Sequence, residues 1–335
     1  DTLEDRLSWT YRSEHEIELI ATDPIGNIPL WEGAEEPWQF LAACDEFYHC
    51  VTKRDRISTG LCVAIDATCS GLQILAGLAK DESTAHLVNV IPSCKPQDAY
   101  QVIAETSKPN IPEKLRSDWD RKCTKRTVMT IPYNAKPFSN RSYIREALKD
   151  KELEVDKEEL TQTVNAVRDA MNVIVPGPMR VMKWIEEEVS KAIKRGATEL
   201  EWKTPSGFVV SQQIFKKQFE RITLQVLGQC NMKVATGDST QVDKARHKAA
   251  TAPNLIHSLD ASLLCLASLE FDNPIALIHD SVLCRATDMT ELSKIVRETY
   301  MHLFAEHDYL TDFAEQIGAE SEPPIIGDLK PESVI

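Results

Sequence analysis

The spacing of apolar residues changes period several times along this chain, and each change marks an element. Glu14 to Thr22 reads as a helix, and Pro24-Ile-Gly-Asn as a turn. A second helix starts at Glu36, with Pro37 comfortable in its first turn, and Trp38, Phe40, Leu41 and Phe47 are its expected core residues. Leu61 to Ile65 is an apolar run of strand length and reads as a buried strand. It ends on Asp66, passes through the turn-prone residues Ala67 to Gly71, and leads into a helix patterned by Leu72, Leu75, Ala76, Leu78 and Ala79.

Downstream, Ser93 is the expected N-cap of a helix through Tyr100, and residues 107–119 form a short proline-containing link. The basic stretch from Asp120 to Asn134 is helical, but a proline inside a helix costs about 3 kcal/mol, so the helix should end or kink at Pro132. Asn134 tolerates left-handed geometry and suits a C-cap. Asp156 to Arg195 is strongly helical, broken in two by Pro176-Gly-Pro178. Glu199 to Ser211 reads as a hairpin, and Gln212 to Ala235 as a longer alternating ribbon with its tip at Gly228. His257 begins a helix, Ser258 to Phe271, that feeds a second hairpin with a tight His279-Asp280 turn. Met289 to Phe304 is amphipathic and helical, the tail is rich in proline and acid, and no internal repeat is evident.

Composition narrows the class. With 42% hydrophobic and 27% charged residues the chain is ordinary for a globular protein, and its 335 residues suffice for one large domain or two. No apolar run approaches a membrane span, and no signal-peptide pattern opens the chain. It begins without Met, which suggests a fragment. Nine cysteines, an odd number without paired metal-ligand spacing, point to a reducing compartment; Cys69 reads as a small apolar filler. A net charge of −14 is not the footprint of a nucleic-acid binder. Basic clusters at Arg121 to Arg126, Lys136 to Arg145, Lys216 to Arg221 and Lys244 to Lys248 are nevertheless separated from the acidic ones, and screening lets such a surface bind DNA weakly and with salt sensitivity.

The candidate chemistry starts from two carboxylates at strand ends. Asp66 and Asp280 lie more than 200 residues apart and meet only if their strands are neighbours. Such a pair offers hard oxygen ligands to two Mg²⁺ ions, which brace the attacking and leaving oxygens of phosphoryl transfer. Taken alone, Asp66 reads equally well as a turn or N-cap residue. Arg121, Lys125 and Tyr133 fall at i, i+4 and i+12, close to one helical face. That face suits a triphosphate with a base and sugar beyond it, or is simply solvated.

Together these segments resemble the polymerase motifs of the single-subunit, bacteriophage-type RNA polymerases, which include mitochondrial and plastid enzymes. Asp66-Ala-Thr-Cys-Ser-Gly71-Leu-Gln matches the first catalytic aspartate, with the Ala67 carbonyl as a further metal ligand. Arg121-(three)-Lys125-Arg126-Thr-Val-Met129-Thr-(two)-Tyr133 matches the nucleotide-binding fingers helix, and His279-Asp280-Ser281 the second aspartate's turn. Ala252-Pro-Asn254-Leu-Ile-His257-Ser-Leu-Asp260 matches a fourth signature, whose histidine lies by the growing RNA end.

The resemblance implies an α+β fold with polymerase right-hand architecture: a palm with a small antiparallel sheet and helical fingers, the N-terminal and thumb parts being absent. The palm is expected at 1–100 and 241–335, the fingers at 101–200 and a specificity-loop-like ribbon at 201–240. It implies DNA-templated RNA synthesis with two Mg²⁺ held by Asp66, Ala67 and Asp280. Arg121 and Lys125 neutralise phosphates, Lys125 also as a proton donor, while Arg126 joins them or faces solvent. Met129 stacks near the base, Tyr100 lies near the nucleotide pocket or in the core, and His257 holds the hybrid end. His279 shapes its turn rather than acting as a base. Where related family A DNA polymerases carry a glutamate that blocks the 2′ position, Gly71 leaves room for a hydroxyl, which Tyr133 senses. On the ribbon, Arg221, Thr223, Asn231 and Lys233 fall at promoter-reading positions.

The implied partners are a DNA template and promoter, nascent RNA and ribonucleoside triphosphates, with no membrane, a monomeric state, and the cytoplasm of an infected cell rather than an organelle. Departures are Asn134 where the family usually has glycine, Pro132 before Tyr133, a shortened insertion before the fingers helix, and missing terminal aromatics. The alternatives are a family A-like DNA polymerase or a non-catalytic nucleic-acid-binding module.

Overall fold

The computed structural model describes residues 3–225 and 230–334. Two compact units are distinguished: one is 1–65 with 273–276 and 283–289, the other 66–272 with 277–282 and 290–335.

The first unit contains α1 (Leu3–Arg12), α2 (Glu14–Thr22), α3 (Ile28–Trp31) and α4 (Pro37–Phe47). Its core is Ile17, Ile20, Trp31 and Cys44, with Phe40, Leu41 and Phe47 packed against it. Trp38 departs from expectation, being 74% exposed. The short helix α3, which follows the predicted turn, delivers Trp31 to the core instead, and Trp38 lies across its ring at 5.3 Å.

Strand β1 (Cys62–Asp66) was expected to be buried, yet its residues alternate between exposed and half-buried. The cause is its place at the edge of a three-stranded sheet.

The second unit is mainly helical, and α5 (Ser70–Leu78) runs through its core. Every α5 residue except Gln73 is buried. Gly77 is the point of closest approach, since a Cβ there would lie 2.6 Å from the Tyr300 hydroxyl and 2.7 Å from Phe304 Cβ. Around α5 follow α6 (Glu82–Leu87), α7 (Ala99–Ser107), α8 (Arg121–Thr130), α9 (Pro137–Lys149), α10 (Lys157–Ile174) and α11 (Pro176–Lys194). The break between α10 and α11 falls at the predicted prolines. The N-cap of α7 is Asp98, not Ser93: the Asp98 carboxylate accepts from the amides of Tyr100 and Gln101, while Ser93 donates to the Lys95 carbonyl in a bend upstream.

Strands β2 (Leu200–Lys203) and β3 (Val209–Gln212) form the expected hairpin, and β4 (Phe215–Leu224) with β5 (Cys230–Val242) the longer antiparallel ribbon. Helix α12 (Lys244–Leu269) is longer than predicted. It begins well before His257 and carries Pro253 in its interior. Strands β6 (Ala276–Ile278) and β7 (Ser281–Arg285) complete the first sheet in the order β1-β7-β6. Then come α13 (Met289–Tyr300), a π-helical turn at Met301–Glu306 where continuous helix was expected, α14 (Tyr309–Gln316) and α15 (Pro331–Val334). The chain is thus a mixed helix-and-sheet protein with small antiparallel sheets. Among the described residues no helix is long and apolar enough to cross a membrane.

Candidate active site

Asp66 closes β1, and Asp280 occupies the two-residue turn between β6 and β7, so pairing of β1 with β7 brings both strand ends together. The contact is direct one residue along: Ser281 Oγ donates to Asp66 Oδ1 at 2.7 Å. The turn is tight because His279 takes a left-handed conformation, φ +61°. Asp66 is exposed.

A second group of side chains lies beside the His279–Asp280 turn. Tyr133 stacks on His257 with ring centroids 4.7 Å apart and planes 19° from parallel, and His257 in turn lies 6.2 Å from His279. The Tyr133 hydroxyl shares a 3.1 Å hydrogen bond with Ser70 Oγ. Burial and the neighbouring Asp260 and Asp280 outweigh that bond and raise the Tyr133 pKa, keeping the phenol protonated. Gly71 is what admits the ring, for a Cβ at this position would sit 2.9 Å from Pro132 Cβ and 3.2 Å from Tyr133 Cζ and Oη. The space beside Gly71 is therefore filled by Tyr133 itself.

Asp260, one helical turn after His257, is a buried member of the fourth motif to which the motif itself assigns no role. Burial, then the charge of Asp280, push its carboxyl up to about 6. The i, i+3 spacing from His257 was the signal available for it. Ser281 and Ser70 likewise gain their contacts, with Asp66 and Tyr133, only in the fold.

The basic helix α8 ends at Thr130, as Pro132 required, so Tyr133 sits in the turn beyond it. Asn134 adopts φ +62°, the left-handed geometry expected of it. Asn134 Nδ2 donates to Glu186 Oε1 at 3.1 Å and to the Ala249 carbonyl at 2.9 Å, and Lys136 and Lys248 also pair with Glu186. Arg121 donates to Asp98 Oδ2 at 2.6 Å and lies over the Tyr100 ring, 5.2 Å from its centroid. Lys125 and Met129 are exposed. Arg126 faces solvent, the second of the two places expected of it, and there it pairs with Glu146 and covers the Tyr143 ring at 4.4 Å. Tyr100 is buried, its hydroxyl donating to the Thr68 carbonyl, which favours its core role.

On the ribbon, Arg221 stands opposite Lys233 and Thr223 opposite Asn231, so all four share one face. Thr223 Oγ1 donates to Asn231 Oδ1 at 2.8 Å. The other face carries Ile222, Leu224, Met232 and Val234, all exposed. The expected tip, Gly228, lies outside the described residues.

The side chains brought together fit a hard divalent cation. Asp66 and Asp280 supply only oxygen donors, and Ser281 fixes the orientation of one carboxylate while leaving its second oxygen available. Among the described residues no group of three or more histidine, cysteine or carboxylate side chains forms a self-contained metal cage.

By fold and side-chain chemistry, this is a mixed α+β protein with an oxygen-rich acidic site at the ends of paired strands. The profile of the DNA-dependent RNA polymerase family matches residues 1–327, and the chain belongs to that family. It is 27% identical to the DNA-directed RNA polymerase of Enterobacteria phage K11, over 93% of this chain and 41% of that protein. It is 29% identical to the chloroplastic DNA-directed RNA polymerase 3B of Nicotiana tabacum (96% and 35%), and 28% identical to the mitochondrial DNA-directed RNA polymerase of Mus musculus (91% and 27%). The chain thus spans roughly two-fifths or less of these relatives' length. Among solved structures it is similar to the POL domain of Pol1 from M. smegmatis with primer-template and dNTP, at 15% identity and a TM-score of 0.37, covering 72% of this chain and 37% of that one.

Proposed function

We propose that this chain carries the catalytic centre of a DNA-templated RNA polymerase of the phage type. The observation that carries the reading is the hydrogen bond from Ser281 to Asp66, which makes neighbours of two acidic strand ends more than 200 residues apart. On this reading the strands bearing Asp66 and Asp280 are the palm, α8 to α10 belong to the fingers, and β4–β5 is the promoter-reading ribbon.

Asp66, the Ala67 carbonyl and Asp280 would hold two Mg²⁺. When bound, such ions lower the pKa of the RNA 3′-hydroxyl and stabilise the charge on the leaving pyrophosphate. The chain's own groups bind and orient. Lys125, exposed and without an ion-pair partner among the described residues, meets the triphosphate and donates a proton to the leaving group. Arg121 must exchange part of its contact with Asp98 for phosphate. Met129 lies beside the base. The protonated Tyr133 hydroxyl would sense a ribose hydroxyl, and its bond to Ser70 and stacking on His257 support that role. On the ribbon, two cations directly opposite one another repel, a cost that a nucleic-acid partner would relieve.

Extension of an RNA primer on a preformed DNA template tests this reading without needing a promoter. Magnesium-dependent addition of ribonucleotides in preference to deoxyribonucleotides is the expected outcome. Preference for deoxyribonucleotides would make the chain a DNA polymerase, and salt-sensitive DNA binding without any addition would reduce it to a binding module.

A further inference from the structure

The turn that follows Tyr133 is anchored in a way the polymerase reading does not by itself require. Pro253 lies inside α12. Having no N–H, it leaves the carbonyl four residues earlier, that of Ala249, without its helical donor. The group that satisfies this carbonyl comes from another segment: Asn134 Nδ2, at 2.9 Å. The same amide nitrogen donates to Glu186 Oε1 at 3.1 Å, and Lys136 reaches both the Asn134 side-chain oxygen and Glu186. Lys248 closes the node at 3.3 Å from Glu186 Oε2. Burial alone would raise the Glu186 pKa, but these contacts reverse the effect and hold it below the usual carboxylate range.

Asn134 is immediately adjacent to Tyr133. Its backbone, at φ +62°, completes the end of α8, with Asn134 N–H donating to the Ile131 carbonyl at 2.8 Å. A glycine would accept this backbone equally well but would leave the Ala249 carbonyl unpaired.

We propose that Asn134 is a positioning residue for Tyr133: it ties the turn to the α12 carbonyl freed by Pro253 and to Glu186, and so holds the Tyr133 ring between Gly71 and His257. Substrate selection by Tyr133 then depends on a contact with a helix remote in sequence, a dependence that rests on the polymerase reading, whereas the placement of the ring does not.

Two measurements separate these layers. In Asn134→Gly the left-handed backbone is kept and the amide lost. Because Tyr133 stacks on His257, the ring-current shift of the His257 ring proton reports the placement by NMR without any activity. The shift is expected to collapse toward that of a solvated histidine. In primer extension the KM for ribonucleotide is expected to rise about tenfold, the effect of losing one or two such hydrogen bonds, with kcat within about twofold of the parent. Pro253→Ala returns a helical donor to Ala249, so the stability lost in Asn134→Gly should be smaller in that background. An unchanged His257 resonance in the folded glycine variant would overturn the proposal. If that variant does not fold, Asn134→Asp, which keeps the backbone tolerance but lacks the donor, is read in the same way. A parent chain that extends no primer would sink the polymerase reading and leave the NMR result standing.

Discussion

Adding one methyl group at Gly71 probes the packing on which the site depends. In Gly71→Ala the new Cβ would meet Pro132 Cβ at 2.9 Å and the Tyr133 ring at 3.2 Å. Neither neighbour gives way easily: a proline ring has no alternative rotamer of consequence, and Tyr133 is held by Ser70, His257 and the clamped turn after it. Overpacking of this kind costs about 1–3 kcal/mol, and the helix propensity gained on replacing glycine returns at most about 1 kcal/mol. Taking a mid-range overpacking cost of about 2 kcal/mol and the full propensity gain, the net loss is about 1 kcal/mol, a fall in Tm of roughly 2–4 °C for a unit of this size. Gly77→Ala is the control. Its Cβ would lie 2.6 Å from the Tyr300 hydroxyl and 2.7 Å from Phe304 Cβ, so it should destabilise more while leaving nucleotide discrimination alone. Thermal melts of both variants, with ribo- against deoxyribonucleotide incorporation measured below the transition, make the comparison. A Gly71→Ala protein as stable as its parent would show that Pro132 and Tyr133 yield freely, and would refute the close-packing argument.

Two further predictions concern other parts of the chain. Glu188 is buried. Although burial opposes its charge, bonds from Lys191, Ser321 and the Glu320 amide hold its carboxyl at about 2. A folded-state pKa below the unfolded value of 4.5 means that this stabilisation is present above pH 4.5 and is lost as pH falls toward 2. Glu188→Gln should therefore flatten the parent's loss of Tm across that window, and a variant whose pH profile parallels the parent's would contradict the assignment. On the ribbon, Arg221→Ala should reduce the slope of log affinity for DNA against log salt by about 1. An unaltered slope would remove Arg221 from the DNA-facing surface.

Much of the helical framework was legible because its punctuation is local. Pro37, Pro132 and the Pro176-Gly-Pro178 break set boundaries through the missing N–H and fixed φ of proline, and these act whatever surrounds them. Burial was less legible, since it depends on what lies above a residue. Trp38 and the β1 run have the composition of a core but lie at an element's start and a sheet edge. The start of α12 was expected only at His257, whereas the helix begins at Lys244 and runs through Pro253, whose lost donor Asn134 supplies from a distant segment that no local pattern announces. The site divides in the same way. Asp66, Asp280, Gly71, Tyr133 and His257 could be named from their motifs. The hydrogen bonds of Ser281 and Ser70, the burial of Asp260 and the pairing of Arg126 with Glu146 exist only once the chain is folded.

The most direct test is single-nucleotide addition to a primed template by Asp66→Asn and Asp280→Asn, each compared with the parent after circular dichroism has established an unchanged fold. Each variant keeps its side-chain shape and loses one negative charge. If the two carboxylates act as one cation-holding unit, either substitution alone lowers the rate by at least about a thousandfold. Addition at a rate near that of the parent in either variant would contradict the account.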